Sequence, residues 1–98
     1  MEDASHVEPG KIGIVQNYLY HEFQHCSVYT FAEGQEAWQT YVIHVDGGME
    51  RYRLSLTYEF LRDTANILLE LRERHAADRL RHAARRALVV TKDGMREQ

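Results

Sequence analysis

Cysteine, proline and tryptophan each occur once in this 98-residue chain, as Cys26, Pro9 and Trp38, and lysine occurs only as Lys11 and Lys92. A lone Cys26 cannot close an intramolecular disulfide, which excludes a disulfide-stapled scaffold and fits a reducing cytoplasm. A single proline leaves no Pro-rich linker, and neither repeats nor low-complexity tracts are present. No apolar run exceeds four residues, far short of the roughly 18 that a membrane-spanning helix needs, so no membrane partner is expected. Met1 to Gly10 carry Glu2, Asp3 and Glu8 without a basic cluster or an apolar stretch. They do not have the pattern of a secretory signal and are expected to form a disordered acidic tail. The few glycines spell neither a phosphate-binding loop nor a dinucleotide fingerprint, and no cofactor is expected.

The chain is 44% hydrophobic and 28% charged with net charge −3. This is the composition of one modest globular domain, placed at residues 11–91 between the acidic tail and a short C-terminal tail at 92–98. The charge is unevenly spread. Residues 1–50 hold eight acids and one base, a net of −7, and residues 51–98 hold eleven bases and seven acids, a net of +4. Either the two halves neutralise each other across the fold, or the basic half presents a surface to an anionic partner. Ten of the twelve bases are arginine, a side chain suited to bidentate contacts with phosphate or carboxylate.

The spacing of Ile12, Val15, Leu19, Phe23 and Cys26 predicts a short amphipathic helix over Lys11 to His25. The period then changes. Cys26 to Glu33 is β-branched and aromatic, ends at Gly34-Gln35-Glu36, and is followed by a second strand over Trp38 to Val45. Asp46-Gly47-Gly48 predicts a hairpin turn. A third strand alternates Tyr52, Leu54, Leu56, Tyr58 and Phe60 against Arg51, Arg53, Ser55, Thr57 and Glu59, with one face buried and the other wet. From Arg62 the residues are Ala, Leu, Arg and Glu until Gly94, a helical composition with Ala65, Leu69, Ala76, Leu80, Ala83, Ala87 and Val90 along one seam. That segment is either one helix of roughly 28 residues, about 42 Å long, or two helices broken near His75 to Asp78. The expected fold is α+β: a short N-terminal helix, a three-stranded antiparallel β-meander and a long, optionally broken C-terminal helix packed on the sheet (αβββα).

One motif bears on chemistry. In His21-Glu22-Phe23-Gln24-His25 a helix would set two imidazoles on one face, where they share a zinc ion with the glutamate as general base. These five residues resemble the active-site helix of the zincin metalloproteases. The resemblance implies His21 and His25 as metal ligands, with His44, His75, His82 or Glu70 as third-ligand candidates. On the helical reading, however, the apolar stripe through Leu19 and Phe23 turns the pair toward solvent, and the strands follow the helix instead of preceding it.

The second candidate is the basic helix. Arg72, Arg74, Arg79, Arg81, Arg85 and Arg86 flank the Ala and Leu seam and could track phosphates or meet acidic residues of a partner helix. Arg51 and Arg53, beside Tyr29 or Tyr41 if these face outward, would add a basic and aromatic sheet surface for single strands. The order helix, three strands, helix is similar to the double-stranded-RNA-binding domain, a resemblance that implies RNA contacts from the loop between the first two strands and from the start of the last helix. Here that loop is acidic and that helix starts without a lysine cluster.

The leading expectation is a small cytoplasmic, non-enzymatic module that binds a protein partner or itself, as a homodimer, through the Arg- and Ala-rich C-terminal helix. The alternatives are nucleic-acid binding through Arg72 to Arg86 and zinc binding through His21 and His25.

Overall fold

The computed structural model describes residues 8–33, 37–45, 47–83 and 86–98. Helix α1 (Pro9–Glu22) leads into strands β1 (Cys26–Glu33), β2 (Trp38–Val45) and β3 (Glu50–Thr57). Three short helices follow, α2 (Tyr58–Asp63), α3 (Ile67–Glu73) and α4 (Ala76–Ala83), and the chain closes with β4 (Leu88–Thr91) and β5 (Gly94–Glu97). The five strands form one mixed sheet in the order β1-β2-β3-β4-β5, antiparallel at every junction except β3 with β4, which is parallel.

The expected αβββα fold, with three strands and one C-terminal helix, is therefore corrected to four helices and five strands. A helix of about 42 Å would exceed the longest Cα extent of the molecule, 36 Å, and its far end would have nothing to cover it. The chain instead folds back on itself twice. Thr64 leaves α2 in an extended conformation, and the Asn66 side chain accepts a hydrogen bond from Leu69 N to start α3. His75 then adopts φ 55°, in the left-handed region, and separates α3 from α4. Thr57 lies in β3 as expected, at its end, and also caps α2 by accepting from Phe60 N, so Tyr58, Glu59 and Phe60, expected in the third strand, belong to that helix.

The second correction lies at the C-terminus. Leu88-Val89-Val90-Thr91, expected to continue the helical seam, is a β-branched run that pairs with β3. Residues 92–98, expected as a tail, supply a turn and β5: Thr91 Oγ1 accepts from Asp93 N and Gly94 N, which bends the chain into a hairpin. At the N-terminus α1 begins at Pro9 and ends at Glu22, with Phe23 as its C-cap. The expectations for residues 1–7, for Gly34-Gln35-Glu36 and for Asp46 fall outside the described residues.

The helices lie on one face of the sheet. Val15, Tyr18, Leu19, Phe60, Leu61, Ile67, Leu71, Ala76, Ala77 and Leu80 form the core with Val28, Tyr41, Ile43, Leu54, Leu56, Leu88 and Val90 of the strands. Alternation along each strand sends Tyr29, Phe31, Trp38, Val42, Arg53, Ser55 and Val89 to the opposite face. Val42 and Val89 are buried there but lie outside the helix-side core. No element of the structure is a helix long and apolar enough to cross a membrane, among the described residues.

Candidate interaction surface

The arginines expected to form one basic row are dispersed by the breaks between helices. Arg74 sits at the C-cap of α3, where its Nη1 donates to Thr91 O at 2.7 Å and Gly94 O at 3.2 Å and its Nη2 to Lys92 O at 3.1 Å. Its Nε pairs with Glu70 at 2.9 Å and its guanidinium lies 5.1 Å from the centre of the Phe60 ring. That is an internal tie between α3 and the β4–β5 turn. Arg81 of α4 likewise donates to Glu22 O at 2.6 Å and Asp78 at 2.8 Å, and covers Phe23 at 4.7 Å. Arg86 pairs with Glu97 at 3.4 Å. Arg72 and Arg79 are exposed on α3 and α4, while Arg85 lies outside the described residues.

On β3, Arg53 makes a two-pronged contact with Glu50 at 2.9 and 3.2 Å, which pushes its pKa further up, and Arg51 is exposed. The fold does bring Arg51, Arg53 and Arg81 together around an open cleft of about 980 Å³ that also takes in Glu50 and the Met49 side chain. Two of these three guanidiniums already face a carboxylate. Of the ion pairs between described residues, only Glu22 with Arg81, apart from the neighbouring Glu50 and Arg53, joins the acidic half to the basic half.

The histidine pair is not presented on a helix. His21 is exposed in the last turn of α1, but His25 follows three residues after that helix ends, with φ 56°. His44 is held by Gly48 O at 3.1 Å and meets the Tyr29 ring edge-on at 5.2 Å. His75 occupies the break between α3 and α4, His82 contacts Asp78 O at 2.7 Å, and Glu70 is paired with Arg74. The half-buried Cys26 thiol has its pKa raised by desolvation. Among the described residues no three His, Cys, Asp or Glu side chains converge as a cation site. Tyr41 faces the core at 0% exposure, its hydroxyl donating to Ile12 O at 2.8 Å, so it adds nothing to a surface with Arg51 and Arg53; Tyr29 does face outward.

A surface that the sequence reading did not single out lies along β1. Tyr29 is 58% exposed and Phe31 43%, both on the sheet face opposite the helices, and the exposed Tyr20 of α1 leans against the same strand. β1 is also an edge strand. The Val28 main chain points away from β2, because its N–H donates to Tyr20 Oη at 3.4 Å and its carbonyl accepts from Gln16 Nε2 at 3.0 Å. By the two-residue period Thr30 and Ala32 point the same way, and no described group meets their N–H and C=O. The strand runs unbulged against β2 from Cys26 to Glu33 and carries no charge before Glu33. It lacks the lysine, proline or bulge with which edge strands are ordinarily protected. The signal in the sequence was that Ser27, Tyr29, Phe31 and Glu33 alternate with Cys26, Val28, Thr30 and Ala32: both registers carry apolar residues, and the larger ones belong to the register that the core does not use.

No protein-family model, curated protein or solved structure matches this chain.

Proposed function

We propose that the protein is a non-enzymatic interaction module that works by binding a polypeptide, and that its contact surface is the β1 edge with the adjoining aromatic sheet face. The observation that carries this reading is the pair Tyr29 and Phe31, exposed on a strand whose outward main chain at Thr30 and Ala32 is unpaired by any described group. A contiguous exposed apolar patch marks a contact site, whereas singly scattered apolar residues do not. A free strand edge recognises extended backbone, with main-chain hydrogen bonds for affinity and alternate side chains for specificity. The C-terminal helix is not the surface proposed here, since Arg74 and Arg81 are spent on carbonyls and carboxylates of the same chain. The same engagement takes phosphate-binding capacity from the nucleic-acid reading, which no further observation favours. The single thiol at Cys26 supports a cytoplasmic setting.

The test is site-specific photo-crosslinking in cells, with a benzophenone amino acid in place of Tyr29 and, in a second variant, in place of Leu69, which is exposed on the opposite, helical layer. Position 29 is expected to capture a polypeptide strongly and position 69 weakly. Equal or absent capture at the two positions overturns the proposal.

A further inference from the structure

The free edge is short, and its shape names its occupant. Val28 is already engaged by Gln16 and Tyr20 of α1 and cuts Cys26 off from the rest of the edge, so the adjacent free outward groups are those of Thr30 and Ala32. We infer that β1 pairs with β1 of a second copy, antiparallel, about a two-fold axis through Phe31, joining two five-stranded sheets into one. This inference rests on the protein-contact reading above and assigns its partner.

The register follows from which groups are free. With the axis at Phe31, Thr30 of each copy exchanges N–H and C=O with Ala32 of the other, and every one of these unpaired groups is used. Centring the pair on Thr30 instead would require the Val28 groups that α1 holds. The α1 side chains thus act as a stop that fixes the alignment, where an unguarded edge slides.

The side chains agree with that register. Phe31 points its own main chain toward β2, so across the new junction it forms a non-hydrogen-bonded pair with its mate, the kind in which facing residues come closest, with Cα atoms about 4.5 Å apart. The two rings, each 43% exposed in one copy, cover each other. Tyr29 falls opposite Glu33, and the two Glu33 carboxylates are offset by four residues, about 13 Å along the strands, so no like charges are opposed. An antiparallel two-fold of this kind is perpendicular to the sheet. It leaves both helix layers on one side and the aromatic faces on the other.

The opposite edge, β5, does not compete. It is only four residues long and carries Arg96 and Glu97, both features that blunt pairing.

The experiment uses the full chain. Sedimentation velocity over a micromolar to submillimolar range is expected to show a species of twice 11.5 kDa. Phe31→Lys, which opposes two ammonium groups at the axis, is expected to weaken the dimer at least about tenfold, with circular dichroism confirming the fold. A second measurement stands even if that variant misfolds. In a Cys26→Ser background, Phe31→Cys is expected to form an intermolecular disulfide rapidly on mild oxidation, the Cα separation lying within the disulfide range. Ser27→Cys, whose mate would stand about 27 Å away along the strands, is expected not to. A wild-type monomer throughout, a dimer indifferent to Phe31→Lys, or equal oxidation of the two cysteine variants overturns the inference. Crosslinking from position 29 to a different polypeptide by a monomeric chain removes the second copy as partner while leaving the contact surface standing; absence of any position-specific crosslink removes the surface itself.

Discussion

Arg74 and Arg72 stand two residues apart in a sequence that treats them alike, yet one is structural and the other is solvated. Arg74 satisfies three carbonyls of the β4–β5 turn and lies over Phe60 with its side chain 19% exposed. A lysine can supply the charge there but not the planar fork that reaches several acceptors at once. Arg74→Lys is expected to destabilise the fold by about 1–3 kcal/mol, read as a lowered urea midpoint at unchanged slope, while Arg72→Ala stays within about 0.5 kcal/mol. No property of the sequence separates these two residues. The difference arises because the break at His75 places Arg74 at a helix end beside a turn some twenty positions later. At this scale the residues with chemistry were legible as types and their duties were not: the histidine pair is a true spacing of four, but it loses its helical meaning because α1 ends before the second member.

Among the elements, β1 and β2 lie where β-branched and aromatic composition put them, and the caps explain what the composition concealed. Ala, Leu, Arg and Glu favour helix throughout Arg62 to Ala87, so propensity alone does not reveal where the chain breaks. Thr57 and Asn66 do, since each accepts from the backbone N–H three residues on, but a lone polar residue in a helical run is a weak signal before the partner N–H is seen. The start of α4 is less legible still, because its cap comes from another element. The Tyr18 hydroxyl of α1 accepts from the Ala77 N–H at 3.1 Å, one of the first-turn donors that no helix can satisfy internally. Both residues are buried. Tyr18→Phe therefore leaves that donor unpaired in the core and is expected to lower stability by about 1–3 kcal/mol, with amide exchange at Ala77 accelerated more than exchange at Leu71. Equal acceleration across α3 and α4 would show that the hydroxyl is not the cap.

For the whole molecule, the consequential step is the return of the chain from α4 to lie parallel beside β3, which turns an edge strand into a central one. An antiparallel neighbour announces itself by a turn a few residues away, whereas a parallel one is separated by the full crossover, here the three helices, so the β-branched Val89 to Thr91 carried no local sign of the strand it joins. The final strand then protects β4. Met95 packs against the core, Leu88 pairs with Glu97, and the turn that carries both is the one Arg74 holds. Residues 92–98, whose composition is that of a tail, are thereby an integral layer of the sheet. A chain ending at Thr91 loses a strand, the Met95 contact and the Lys92 and Gly94 carbonyls that Arg74 binds, and exposes the main chain of Leu88 to Thr91. It is expected to lose about 3 kcal/mol or more, a large share of the 5–15 kcal/mol or so that holds an ordinary small domain together. Thermal unfolding followed by far-ultraviolet circular dichroism reads the effect as a lower and broader transition, and an unchanged midpoint would return those residues to the status of a tail. The two edges of the sheet are thus unequal by construction: one is closed by a short charged strand that the fold depends on, and the other, β1, is left with its backbone at Thr30 and Ala32 directed outward.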